Sequence, residues 1–170
     1  MKKTILLLSV VALFATTLTS CSKDDDSNTT TPTETYVGIQ GKWQSSGSNV
    51  APLLVALFKV DSIYAEFNTN MTYTVKQWDT SGTQLATLTG VYTQTKSSTG
   101  DIWTITVNQT SPSALTSEGM FEVTNNTMKY EVVQTTPAIG ATPPTPAAGF
   151  GSTNGGAFGL MNVQNYVKVQ

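Results

Sequence analysis

Histidine and arginine are absent from this sequence, and Cys21 is its single cysteine. Without imidazole or a second thiol, Ser-His and Cys-His nucleophilic catalysis, His/Cys metal ligation and redox disulfides all fall away. From residue 36 onward six lysines face seven carboxylates, so the chain carries no clustered positive field for phosphate and nucleic acid is not an expected partner. No repeat period links one segment to the next, so a propeller or a solenoid is not expected. No residue set identifies a reaction: the chain is expected to be no enzyme, with no catalytic residues, no metal and no cofactor.

What is present comes first as an address. Lys2 and Lys3 make a positive start, an apolar run follows over 5–15, and small residues lead up to Cys21. That is the pattern of a cleaved export signal over residues 1–20, too short for a stable membrane span. Leu18-Thr19-Ser20-Cys21 resembles the lipobox of bacterial lipoproteins. The resemblance implies diacylglycerol on the Cys21 thiol and cleavage just before it. Several acyl chains, each stabilised by about 0.8 kcal/mol per buried methylene, would then hold the protein to a membrane.

Lys23-Asp24-Asp25-Asp26 resembles the short acidic export tag that carries lipoproteins of the Bacteroidota to the outer face of the outer membrane. The expected location is therefore the outer membrane, lipid-anchored and exposed at the cell surface. The three aspartates lack the ligand-spaced loop and turn glycine of a calcium site. Residues 21–35, rich in Ser, Asn, Thr, Asp and Pro, cannot bury a core and are expected to form a lipidated, disordered tether.

Residues 36–170 suit one domain with one core. Gly41-Lys42-Trp43 lies on a first β-prone segment. Residues 49–60, with Pro52 ahead of Leu53, Leu54, Ala56, Leu57 and Phe58, suggest a short helix or turn covering one end of a barrel. A meander of strands follows. Met71, Tyr73 and Val75 alternate with Thr72, Thr74 and Lys76, then the chain turns at Asp79-Thr80-Ser81-Gly82. Further strands run through Leu88, Gly90 and Tyr92, and through Trp103, Ile105 and Val107. The Asn125-Asn126 pair joins two strands as a hairpin, with Met128, Tyr130 and Val132 on one face of the second.

Residues 135–156, dense in Pro, Gly, Ala and Thr, read as a long excursion whose shortening is expected to leave folding intact. Met161, Val163, Val167 and Val169 alternate with Asn162, Gln164, Tyr166 and Lys168 in a closing strand, which must pair with the strand of Trp43 if the sheet is a barrel.

Gly41-x-Trp43, Phe67 and Tyr73 around an Asn turn, Gly90-x-Tyr92 and the hairpin from Phe121 to Val132 together resemble the lipocalin-like (calycin-like) β-barrel lipoproteins displayed by Gram-negative anaerobes. The resemblance implies that Gly41 permits close strand approach and that the Trp43 indole closes the bottom of the barrel. It departs from true lipocalins in having neither a disulfide nor an arginine to stack on that indole.

The expected fold is all-β: an antiparallel meander barrel of about eight strands with one short helical insertion. The expected function is a membrane-anchored module binding a small apolar or glycan-like ligand through Trp43, Tyr73, Tyr92 and Trp103. The alternative is an accessory protein of the cell surface docking a protein partner through the Pro-rich excursion. A carboxylate hydrolase would have to draw on Glu66, Glu122 and Glu131, and nothing in the sequence fixes their spacing.

Overall fold

A computed structural model describes residues 37–170. The expected export signal, the expected lipidation site Cys21, the expected export residues Lys23, Asp24, Asp25 and Asp26, and the expected tether lie outside the described residues. Nine regular elements follow in order: β1 (Gly41–Ser46), α1 (Pro52–Phe58), β2 (Ser62–Phe67), β3 (Thr72–Trp78), β4 (Gln84–Lys96), β5 (Ile102–Ser111), β6 (Leu115–Thr124), β7 (Thr127–Thr136) and β8 (Gln164–Val169). Each strand pairs antiparallel with the next, and β8 returns to β1, so the eight strands form a closed meander barrel with one helix. Closure leaves the described sheet without an open edge.

The expected alternation explains most of the wall. In β2, Ile63, Ala65 and Phe67 are buried while their neighbours are half-exposed. In β5, Ile105 and Val107 face the core between partly exposed residues. The β6–β7 hairpin closes at Thr124 and Thr127, with Asn125 at φ 55°, a conformation asparagine tolerates better than most residues. The Asp79 turn is held by its own carboxylate: Oδ1 accepts from Ser81 N–H at 2.9 Å, Ser81 Oγ at 2.7 Å and Thr83 N–H at 2.9 Å.

The helix forms where expected. Pro52 needs no N–H partner at the first turn, and Lys59 ends the helix in the left-handed conformation, φ 61°. The Val60 N–H then returns to the Leu54 carbonyl, satisfying one of the last free acceptors.

β8 buries the polar side of its alternation. The valine stripe suggested an apolar inner face at 161, 163, 167 and 169, yet Gln164 and Tyr166 are buried and Val167 is 46% exposed. The cause is register: Lys168 pairs with Trp43, and Met128 and Tyr130 pair with Tyr166 and Gln164. Residues directly opposite share a face, so the inward Trp43, Met128 and Tyr130 carry the even-numbered residues of β8 inward with them.

The long excursion is also more than a connector. Residues 137–163 fold back over the outer wall, where Glu131 of β7 is fully buried. Its carboxylate accepts from Gly151 N–H at 2.7 Å, Thr153 N–H at 3.0 Å and Thr153 Oγ at 2.6 Å. Asn162 Nδ2 adds bonds to the Val132 carbonyl and to Thr153 Oγ. Met120, opposite Glu131 on that same outer face, is buried as well.

Candidate functional site

The meander sends alternate turns to opposite ends of the barrel. The base holds the segment 37–40 and the turns at 68–71, 97–101 and 125–126. The mouth holds α1, the turns at 79–83 and 112–114, and the excursion 137–163.

The base is sealed. Trp43 is fully buried and its indole N–H donates to the Ile39 carbonyl at 2.7 Å. Gly41 sits at φ 125°, a conformation that calls for glycine, and a Cβ there would crowd the Lys168 side chain, whose Cε lies 3.1 Å away. Tyr92 is buried with its hydroxyl donating to the Asn68 carbonyl at 2.8 Å, which fixes the β2–β3 turn. Two residues before it, Gly90 lies so close to β5 that a side chain would collide with the Asn108 carbonyl. Trp103 stacks on Phe121 at a centroid distance of 6.0 Å, with the Lys96 ammonium 5.8 Å from its ring.

Above this base a cavity of about 180 Å³ extends toward the mouth. Its lining mixes aliphatic side chains, among them Ile63, Val75, Leu88, Val107, Val132 and Leu54 of α1, with the neutral polar side chains of Gln77, Gln109, Ser117, Asn162 and Gln164. Tyr73, Tyr130 and Tyr166 also line it, and no charged residue does. Of the four aromatics expected to bind a ligand, the barrel brings only Tyr73 to this cavity, while Trp43, Tyr92 and Trp103 lie outside its lining. Phe67 connects the two regions, packing edge-on against Tyr92 at 5.3 Å and lying 6.0 Å from Tyr73 and 6.3 Å from Tyr130.

Tyr130 and Tyr166 are the residues that sequence reasoning left out of the site. Tyr130 was legible as an inner-face residue, since it sits between Met128 and Val132. Tyr166 stands on the face opposite the valine stripe of β8, so alternation alone does not mark it as inward. Their rings meet edge-on with centroids 6.2 Å apart.

The electrostatics of the three phenols follow from their burial. Burial pushes the Tyr73 hydroxyl up to about 12. Burial first, and then the nearby Tyr166 and Tyr73 hydroxyls, push Tyr130 well above an ordinary phenol. Tyr166 is raised by burial too. All three therefore stay protonated at neutral pH and can donate.

Gln164 positions the lid. Its side-chain oxygen accepts from the Ala51 N–H at 2.8 Å just ahead of α1, and its amide nitrogen donates to the Asn49 carbonyl at 3.0 Å and to Ser45 Oγ. The buried end of β8 thus ties the entry of α1 to β1. Around the opening, α1 neighbours the short 3-10 turn at Gly159–Asn162, and both present apolar side chains to solvent. Leu57 and Leu160 are each 68% exposed, with Phe58, Met161 and Phe158 exposed beside them in sequence.

The strand-borne carboxylates lie elsewhere. The oxygens of Glu131 are occupied by the excursion, and Glu66 accepts a bond from the Tyr64 hydroxyl at 3.3 Å. Among the described residues no group of three or more Asp, Glu, Cys or His is placed to hold a metal ion.

The fold and cavity define a class: a closed eight-stranded antiparallel meander barrel with an internal apolar cavity, consistent with a lipocalin-like fold. Comparison with family models, with curated proteins and with solved structures found no match to this chain.

Proposed function

We propose that this protein is a non-enzymatic binding module, lipid-anchored through Cys21, that holds a small apolar ligand in the mouth-side cavity of its barrel. The supporting observation is the cavity itself: about 180 Å³, mainly apolar with a minority of neutral polar side chains, lined by no charged residue, and bordered by Leu54 of α1. An apolar cavity of roughly 150 Å³ suffices to take up benzene, whereas drug-sized ligands need about 300 Å³ or more. The fitting ligand is therefore of ring size or is one end of a longer molecule. Anchoring at Cys21 and display by Lys23-Asp24-Asp25-Asp26 belong to the same proposal and rest on the resemblance to surface lipoproteins of Gram-negative anaerobes.

The test is a panel of small apolar and monosaccharide probes titrated into the purified chain and followed by amide NMR, alongside a Val107→Trp variant that fills the cavity. Apolar probes should shift cavity residues in the native chain and leave them unmoved in the variant. Shifts that persist in a folded Val107→Trp protein contradict binding in the cavity.

A second reading is favoured by one observation, the exposed Leu57, Phe58, Leu160 and Met161 at the mouth. Contiguous apolar surface on a soluble domain marks contact sites. In this reading the excursion and α1 dock a second protein of the cell surface. Cross-linking on whole cells from positions beside Leu57 and Leu160 should then trap one protein partner, and loss of that adduct in a Leu57→Ser, Leu160→Ser variant would support it.

A further inference from the structure

No hydrogen bond joins the hydroxyl of Tyr73, Tyr130 or Tyr166 to any other described residue. Yet none of the fully sealed side-chain oxygens among the described residues lacks a partner. The three hydroxyls therefore reach open space, and the space these residues share is the cavity they line. Tyr73 and Tyr166 are only 4% and 6% exposed and Tyr130 is half-buried, so the space their hydroxyls reach is largely that of the cavity. A buried phenol normally finds a partner, because leaving the O–H unsatisfied is costly. Three such donors on one cavity is an arrangement that a bound acceptor would complete.

We propose that Tyr73, Tyr130 and Tyr166 form a neutral donor site that selects an uncharged, ring-sized ligand carrying an acceptor oxygen such as a ketone or ester carbonyl. This rests on the reading that the cavity is a binding site, and it adds which chemistry the site accepts. The exclusion of anions follows from the lining. A carboxylate entering this cavity would lose its hydration and meet no cation, since none lines it. An apolar ligand without an acceptor can enter the cavity but leaves the phenols unpaired, so it is held less tightly than one that carries an acceptor. The acceptor oxygen points toward the tyrosines, and the apolar body lies against Val75, Leu88, Val107 and Val132.

Three probes of nearly equal size separate these cases: cyclohexanone, its isostere methylenecyclohexane, and cyclohexanecarboxylate at neutral pH. Each is titrated by NMR into the full chain and into a Tyr73→Phe, Tyr130→Phe, Tyr166→Phe variant. The native chain should prefer cyclohexanone over methylenecyclohexane by about tenfold, the worth of one good hydrogen bond. It should bind the carboxylate most weakly. In the triple variant the preference should vanish or invert while methylenecyclohexane still binds. Should the triple variant fail to fold, Tyr73→Phe alone should lower the preference.

Equal binding of ketone and isostere by the native chain overturns the donor site but leaves the cavity reading intact. Tightest binding of the carboxylate also overturns it. If no probe binds the native chain at all, the cavity reading falls and takes the donor site with it.

Discussion

The Lys168 ammonium lies 5.6 Å from the centroid of the Trp43 ring, brought there by the direct pairing of the two residues across the β1–β8 closure. The chain has no arginine, yet a cation stands over the strand-one indole. Gly41 makes room for it, since any side chain there would press on the Lys168 stem. Glycine, tryptophan and lysine thus form one base plug. Truncating Trp43→Ala should cost about 3–5 kcal/mol, a large fraction of the stability of a domain this size. Lys168→Met should cost about 1 kcal/mol or less. Urea unfolding of both variants measures this, and a Trp43→Ala cost below about 1 kcal/mol would place the indole outside the core.

How the excursion is fastened bears on its removal. Glu131 holds Gly151 and Thr153 through three hydrogen bonds in a fully buried position. Glu131→Ala should leave two loop N–H groups unpaired, destabilise by about 1–3 kcal/mol or more, and open residues 137–163 to protease. Limited proteolysis read by mass spectrometry should show new cuts there while the strands stay intact. Unchanged cleavage would mean that the loop is held by other contacts.

The tyrosines predict an alkaline limit. Burial raises Tyr73 to about 12 and Tyr130 and Tyr166 also upward, above the unfolded value of about 10. The folded chain therefore holds these protons more tightly than the unfolded chain does. Their contribution is fully present below pH 10 and is lost as pH rises through about 12 for Tyr73. Melting temperature should fall above pH 10, and the Tyr73→Phe, Tyr130→Phe, Tyr166→Phe variant should fall less steeply. Parallel curves would place the alkaline limit elsewhere.

For the anchor, Cys21→Ala should abolish fatty-acid labelling. Replacing Asp24, Asp25 and Asp26 by alanine should keep the label but shield the domain from protease added to whole cells. Undiminished label in the first variant removes the lipoprotein reading, and equal protease sensitivity in the second removes the display signal.

Most of the barrel was legible because its strands obey a simple rule. Ile63, Ala65 and Phe67, and Ile105 and Val107, alternate with polar residues, and a half-buried wall demands that period. Pro52 and the apolar run behind it disclosed α1 for a similarly local reason. The face of β8 was not legible locally, because it is set by pairing with Trp43 and Tyr130, more than thirty residues away in sequence. Glu131 was hidden for the same reason: it reads as an outward strand carboxylate, and only the returning chain buries it. The cavity was half legible. Tyr73 and Tyr130 lie on strand faces that alternation marks as inward, whereas Tyr166 needed the closure register. Trp43, Tyr92 and Trp103 were visible as strand aromatics, but which end of a barrel an aromatic fills depends on the stagger of all eight strands.

The most direct test of the binding reading is where a bound probe sits. Intermolecular NOEs should be recorded between cyclohexanone and a methyl-labelled sample of the full chain. Binding inside the barrel predicts cross-peaks to the methyls of Leu88 and Val107, which line the same cavity from the neighbouring strands β4 and β5. Cross-peaks confined to Leu57 and Leu160 at the exposed mouth would contradict it.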